Sequence, residues 1–301
     1  MNNVQSRSFA SEVIDVKDGL LSQDQILLSE DIDVCWKEVL FDHDNKVKIH
    51  EKNTFMELHF QFNGFSKTFF DKKELILYPN SQTIFHVTDF IGEHELHKDN
   101  FNPLTLFEIK IGENAVNRMF PKEMWNEIEF IQNIFYDKNA YINSIKPISP
   151  QMYCTICEMR NNPFKGIMGR LYLEAKIVEL FLLQAESHKL IQNRSLRKEE
   201  IEKIMSAKEF IDKNYQTKIR IIDLAKIVGT NQQMLKKGFK EMFKTTIFSY
   251  YNDLRMKMAK SILIDGRKNV AEVSNEIGYK NPQHFTVAFK KRFGILPKDL
   301  K

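Results

Sequence analysis

The sequence is short of the residues that mark several large protein classes. Its three cysteines, Cys35, Cys154 and Cys157, are too few for a disulfide framework, and an odd, small number fits a reducing compartment. Only 11 of 301 residues are glycine and no Gly-rich phosphate loop is among them, which argues against a nucleotide-binding fold. Neither a serine-nucleophile motif nor a paired-carboxylate signature is present, so no catalytic residue, metal or cofactor is expected. No apolar run approaches the roughly 18 residues of a membrane span. The opening stretch, MNNVQSRSFASEVIDVKDG, also lacks the apolar segment of a signal peptide. A soluble, cytoplasmic protein that is not an enzyme is the expectation.

What is present is ordinary in amount and uneven in placement. With 43% hydrophobic and 28% charged residues, the chain can bury a core, and its length suits two domains of usual size. The net charge of +4 hides a split: residues 195–301 hold 23 Lys and Arg against 12 Asp and Glu, a net of +11, and residues 1–194 hold 21 against 28, a net of −7. A basic C-terminal third joined to an acidic remainder is the pattern of a nucleic-acid-binding domain attached to a non-binding one.

Residues 1–45 read ambiguously, with Ile26–Glu30 and Val34–Leu40 as candidate strands. From Asn53 the pattern is clearer: Met56, Leu58, Phe60 and Phe62 alternate with Glu57, His59 and Gln61, the period of a strand. Short apolar runs at Thr68–Phe70, Leu75–Tyr78, Thr83–Val87 and Leu104–Ile111 are broken by turn signals such as Asn63-Gly64 and Pro79-Asn80. Residues 1–145 therefore read as a β-rich sensor domain of barrel or jelly-roll type, and the chain as α+β multidomain. Asn114–Ile134 reads as helical. A helix from Pro150 to Met159 stops before Pro163, and a longer one spans Gly166–Lys189, with Leu171, Ala175, Val178 and Leu182 as its apolar stripe, widened by Phe181 and Leu183. Residues 146–194 thus form a helical connecting segment that either covers the barrel or, the reading preferred, pairs with its copy in a homodimer. Gln192–Arg197 is the candidate linker.

Residues 195–301 read as all-helical and contain one pattern twice. Leu224-Ala225, Val228-Gly229, Leu235, Phe239 and Phe243 are echoed by Val273-Ser274, Ile277-Gly278, Phe285, Phe289 and Phe293, the three aromatic-core positions at a constant offset of 50. Each copy is a short helix, a Gly turn and an amphipathic second helix, the pattern of a helix–turn–helix. Ala225 and Ser274 sit where each helix pair must come closest. Gly229 and Gly278 allow the turn, and Asn231 and Asn281 are placed to cap the second helices. A helix from Ile247 to Ile264 joins the copies, ended by Asp265-Gly266.

Ala271-Glu272-Val273, Ile277-Gly278-Tyr279, Gln283-His284-Phe285, Ala288-Phe289-Lys290-Lys291-Arg292-Phe293-Gly294 and Pro297, with Leu254-Arg255, Ala259 and Leu263 before them, resemble the DNA-binding domain of the AraC/XylS family of bacterial transcription regulators. The resemblance covers about Glu199–Lys301. Pro163-Phe164-Lys165-Gly166 and Arg170-Leu171-Tyr172-Leu173-Glu174-Ala175-Lys176 further resemble the branch related to the pyochelin-receptor regulator. The resemblance implies double-stranded DNA as partner, contact with RNA polymerase as an activator, and a small-molecule effector, with an iron chelate suggested by the second branch. Helical spacing puts Gln232, Gln233, Lys236 and Lys237 opposite the Leu235 and Phe239 core face, and Pro282, Gln283, Thr286 and Val287 in the same place on the second copy. These are the candidate base contacts, Gln for adenine and Lys for guanine; many relatives carry a basic residue where Val287 stands. Asn231, Lys240, Asn281, Lys290, Lys291 and Arg292 are the candidate phosphate contacts.

Two other features invite a metal. Cys154-x-x-Cys157 has no second pair and reads as helix core. His94-Glu95-Leu96-His97 fits neither a His-Glu-x-x-His nor a cupin pattern and reads as a polar loop. The rival functions are a dimeric DNA-binding protein that senses nothing, and a cupin-type enzyme fused to a DNA-binding domain.

Overall fold

The computed structural model describes residues 20–29, 31–40, 43–70, 73–88, 90–97, 103–120, 145–189 and 196–300. The chain forms two units, Met1–Ser195 and Leu196–Lys301.

Unit 1 is built on two antiparallel sheets. The first has six strands in the order β1 (Leu20–Ser29), β2 (Ile32–Val39), β9 (Leu104–Gly112), β4 (Phe55–Asn63), β7 (Ser81–Val87), β10 (Lys146–Pro147). The second has four, in the order β3 (Asn45–Glu51), β8 (Phe90–His97), β5 (Phe65–Phe70), β6 (Lys73–Leu77). Strand periodicity divides the six-stranded sheet cleanly. Ile32 and Val34, Met56, Leu58 and Phe60, Ile84, and Phe107, Ile109 and Ile111 point to one side and join the main apolar core. That core is closed by α1 (Glu113–Met119), α2 (Pro150–Arg160) and α3 (Gly166–Lys189) through Ala115, Val116, Met152, Ile156, Met159, Leu173, Ile177, Leu180 and Phe181. The segment 146–189 therefore contributes to the core of the sheet.

Several expectations change here. On α3 the buried face runs through Leu173, Ile177, Leu180, Phe181 and Ala185, while Leu171 and Leu182 of the expected stripe are exposed. The helix is apolar around most of its girth, so spacing alone cannot choose a face. Packing chooses it, aided by buried Gln184, whose Nε2 donates to Gln82 Oε1 at 2.8 Å and to the Thr83 carbonyl at 3.1 Å. Cys154 is exposed and Cys157 half-buried, so neither is a core residue; α2 buries Met152, Thr155, Ile156 and Met159 instead. His94 and His97 lie in strand β8, not in a loop. Three apart in a strand, they point to opposite faces, and β8 pairs with both β3 and β5. Strand β3 has no counterpart in the sequence reading. Of the expected helix Asn114–Ile134, the described part is Glu113–Met119; residues 121–144 lie outside the described residues, as do 1–19 and 192–195 of the candidate linker.

Unit 2 is all helical: α4 (Lys198–Lys213), α5 (Ile221–Ile227), α6 (Gln232–Phe243), α7 (Ile247–Asp265), α8 (Val270–Glu276), α9 (Pro282–Phe293) and a short 3-10 turn at Pro297–Leu300. α5 with α6, and α8 with α9, are the two helix pairs read from the repeat. Leu224, Ala225, Leu235, Phe239 and Met242 of the first are buried, as are Ile201, Ile204, Ala207 and Ile211 of α4. The second packs Val273, Ile277, Phe285 and Phe289 on Met256, Ala259 and Leu263 of α7.

Among the described residues no helix is long and apolar enough to cross a membrane.

Candidate nucleic-acid interface

Each helix pair is set by the same local devices. In the first turn Gly229 has φ 67° and its N–H donates to the Lys226 carbonyl; in the second Gly278 has φ 79° and donates to Asn275. The next N–H reaches back five residues in both, Thr230 to the Ala225 carbonyl at 2.8 Å and Tyr279 to Ser274 at 2.9 Å. This closure satisfies carbonyls that a helix end otherwise leaves bare, and it places the small Ala225 and Ser274, both buried, at the closest approach. Asn231 then caps α6 by accepting from the Met234 N–H, and Asn281 caps α9 by accepting from the Gln283 N–H, each at 2.8 Å. The second turn is one residue longer, the extra residue being Lys280, so its glycine is 49 positions from the first glycine while its helix is offset by 50.

With Leu235 and Phe239 fully buried, Gln232, Gln233, Lys236, Lys237 and Lys240 are all exposed. On α9, Phe285 and Phe289 are buried and Gln283, Val287, Lys290, Lys291 and Arg292 exposed, with Pro282 and Thr286 intermediate. The two outer faces differ in chemistry. α6 offers two amides and three ammonium groups. α9 begins with Pro282, which has no N–H to give. Its Thr286 hydroxyl donates to the Pro282 carbonyl at 2.9 Å, and Val287 is 69% exposed with nothing to donate. Of its cations, Arg292 is held by Asp253 at 3.0 Å. In front of α5, Arg220 grips Asp223 through two N–H groups, a hydrogen-bonded pairing that holds the Asp223 carboxyl below its usual range.

One structural residue was quoted in the sequence reading without a role. Arg255, in the middle of α7, is buried; its Nε donates to the Ile277 carbonyl at 2.5 Å, and its guanidinium lies 4.5 Å from the Tyr279 ring centre and 5.1 Å from that of Tyr251. Tyr251 in turn donates to the Thr217 carbonyl at 2.7 Å. A buried arginine with aromatic faces on either side is stacked as well as hydrogen-bonded, and here it fastens the second turn to α7.

Comparison with known proteins fits this division. Residues 22–199 match the family described as regulatory protein PchR N-terminal domain, and residues 224–301 match a helix-turn-helix domain. The chain belongs to the AraC/XylS family, in the branch defined by that N-terminal domain. It is similar to the Msm operon regulatory protein of Streptococcus mutans, 29% identical over 49% of this chain and 52% of that protein. It is also similar to the lactose operon transcription activator of Staphylococcus xylosus, 35% identical over 31% of this chain and 34% of that one. The chain thus spans about half the length, or less, of these curated relatives. Among solved structures, an AraC-type DNA-binding-domain regulator from Chromobacterium violaceum aligns with a TM-score of 0.32 and 23% identity, covering 35% of this chain and 93% of that one.

Proposed function

We propose that this AraC/XylS-family chain is a cytoplasmic transcription regulator whose unit 2 reads DNA and whose unit 1 receives a signal. The observation that carries the reading is the twice-built helix pair, each presenting an exposed helix over a buried aromatic core. As two helix–turn–helix units, they set α6 and α9 into successive major grooves. The joining helix α7 has 19 residues, about 28 Å at about 1.5 Å per residue, the scale needed to carry two readers about one turn of DNA, roughly 34 Å, apart.

In this reading Gln232, Gln233, Lys236 and Lys237 contact base edges from the first unit. In the second, Gln283 is the base reader, Val287 packs on a thymine methyl, and Pro282 and Thr286 contribute shape. Asn231, Lys240, Asn281, Lys290, Lys291 and Arg292 anchor phosphates. The α9 face therefore contributes more to affinity than to sequence choice. The two sheets of unit 1, read as a jelly roll, take the effector, a small molecule with an iron chelate as one chemistry to test. The chain acts as a homodimer that activates by contact with RNA polymerase.

The test is sequencing of genomic fragments retained by the purified full chain at near-physiological salt. Enrichment at a few promoters with half-sites about ten base pairs apart is the expected result. Uniform retention that fades steeply with salt, with and without candidate effectors, overturns sequence-specific reading.

A further inference from the structure

The polar face of the β4–β9 ladder is turned away from the apolar core and is buried all the same. His59 stands opposite Glu108 in the register of the two strands, and Glu57 is two residues along on the same face. Glu57 Oε1 lies 3.0 Å and Glu108 Oε1 3.5 Å from His59 Nδ1. One ligand atom from each of the three falls within 4.8 Å of the other two. His59 is 5% exposed, and its Nε2 is buried with no hydrogen-bond partner among the described residues.

The charges around the trio do not balance. Lys37 donates to Glu108 Oε2 at 2.7 Å, leaving Oε1 turned to the imidazole, and Lys110 donates to Glu51 of β3 at 2.7 Å. Three carboxylates, Glu51, Glu57 and Glu108, thus face two lysines. His94 faces the same interior from β8, its Nδ1 3.0 Å from Thr68 Oγ1. Uncompensated negative charge in a buried site is costly unless a cation joins it.

We infer that Glu57, His59 and Glu108 bind one divalent first-row transition-metal ion between the sheets of unit 1, with Lys37 fixing the Glu108 carboxylate from the far side. One imidazole nitrogen and two carboxylate oxygens suit Mn(II), Fe(II) or Zn(II) better than the all-oxygen sites of Ca(II) or the thiolate sites of softer ions. Three protein ligands leave positions open for water or for an oxygen donor on a small molecule. The regulatory meaning of the ion rests on unit 1 receiving the signal; its binding does not.

The experiment strips the purified full chain with a chelator, then titrates it with Mn(II), Zn(II) and, as a spectroscopic probe, Co(II). The expected result is one ion per chain, a raised thermal midpoint followed by the fluorescence of Trp36 and Trp125, and a Co(II) spectrum free of a thiolate charge-transfer band. Glu57→Gln and His59→Gln each weaken Co(II) binding by about 10- to 100-fold or more, and Cys154→Ser leaves it unchanged. Failure of the wild-type chain to take up any of the three ions overturns the site, as does a thiolate band, and these wild-type results decide even if a variant does not fold. Unaltered affinity in both ligand variants also overturns it. Fragment retention measured on the same preparations separates the two readings: metal uptake without sequence-specific retention keeps the site and removes the regulator.

Discussion

The first helix pair closes its turn on open space, and the second closes its turn on a neighbour. A Cβ added at Gly229 meets nothing within 4 Å, whereas one at Gly278 falls 2.5 Å from the Gln216 carbonyl oxygen and 3.2 Å from Arg255. Their outer faces differ too: where α6 has Gln232, Lys236 and Lys237, α9 has a proline, a self-bonded Thr286 and an exposed Val287, alongside exposed Gln283, Lys290, Lys291 and Arg292. One backbone plan has therefore been put to two uses. The first pair has room around its turn glycine, and the second has its turn glycine packed against Gln216 and Arg255.

The largest effect that breaks this contrast is expected at the glycines. Gly278→Ala combines a left-handed backbone penalty of about 1–2 kcal/mol with overpacking against a backbone carbonyl, about 1–3 kcal/mol. Gly229→Ala carries only the first term. Urea unfolding of the two variants checks it, and equal losses would remove the distinction. Next is Arg255→Met, which takes the donor from the Ile277 carbonyl at a cost of about 1–3 kcal/mol. Hydrogen exchange is expected to speed up in α8 and α9 and to leave α6 unchanged.

The faces are compared by Lys237→Ala and Lys290→Ala. The first is expected to weaken cognate DNA binding by about 1–3 kcal/mol and relax preference at one base pair. The second is expected to weaken all sequences alike and lower the salt slope by about 1. Binding curves on cognate and random duplexes at several salt concentrations measure both, and equal losses on the two duplexes for Lys237→Ala would refute its role. The smallest effect is at the helix ends. α6 ends in Lys244 with φ 54°, where α9, fifty residues on, ends in Gly294 with φ 76°. Lys244→Gly is expected to stabilise the unit by about 0.5–1 kcal/mol in thermal unfolding.

Why unit 2 was legible from its sequence and unit 1 only in part follows from the same physics. In α6 and α9 most of the large apolar residues fall on one stripe, Leu235, Phe239, Met242 and Phe243 or Phe285, Phe289 and Phe293, and most other positions are polar. A 3.6 period then names the buried face, and Asn and Gly mark the ends. In α3 nearly all faces are apolar, so the period had nothing to distinguish. In β4 the alternation of Met56, Leu58 and Phe60 with Glu57, His59 and Gln61 correctly gave a strand with its core side. It could not say that Gln61 and His59 are also buried, because a second sheet supplies the cover and its partners come from distant sequence, as Glu51 does for Lys110. Strand β8 was missed for a related reason: Glu93, His94 and Glu95 look like a solvated loop until the pairing with β3 and β5 gives each a side. The exposed positions of α6 and α9 follow from helix periodicity and their DNA-facing role from the family resemblance, whereas the part played by Arg255 emerges only from the packing of α7 on the second turn.

The packing of Gly278 against Gln216, with Tyr251 holding Thr217 and Arg255 holding Ile277, leaves the joint between the two helix pairs little room to flex. On the proposed reading, in which α6 and α9 enter successive grooves, a rigid joint turns the pair into a gauge of phase. One base pair added between two half-sites shifts the second by about 3.4 Å along the axis and swings it by about 35° around it. A stiff body cannot follow that rotation, so on that reading the spacing of a site carries as much information as its letters, and a single inserted base is expected to silence an otherwise unaltered sequence.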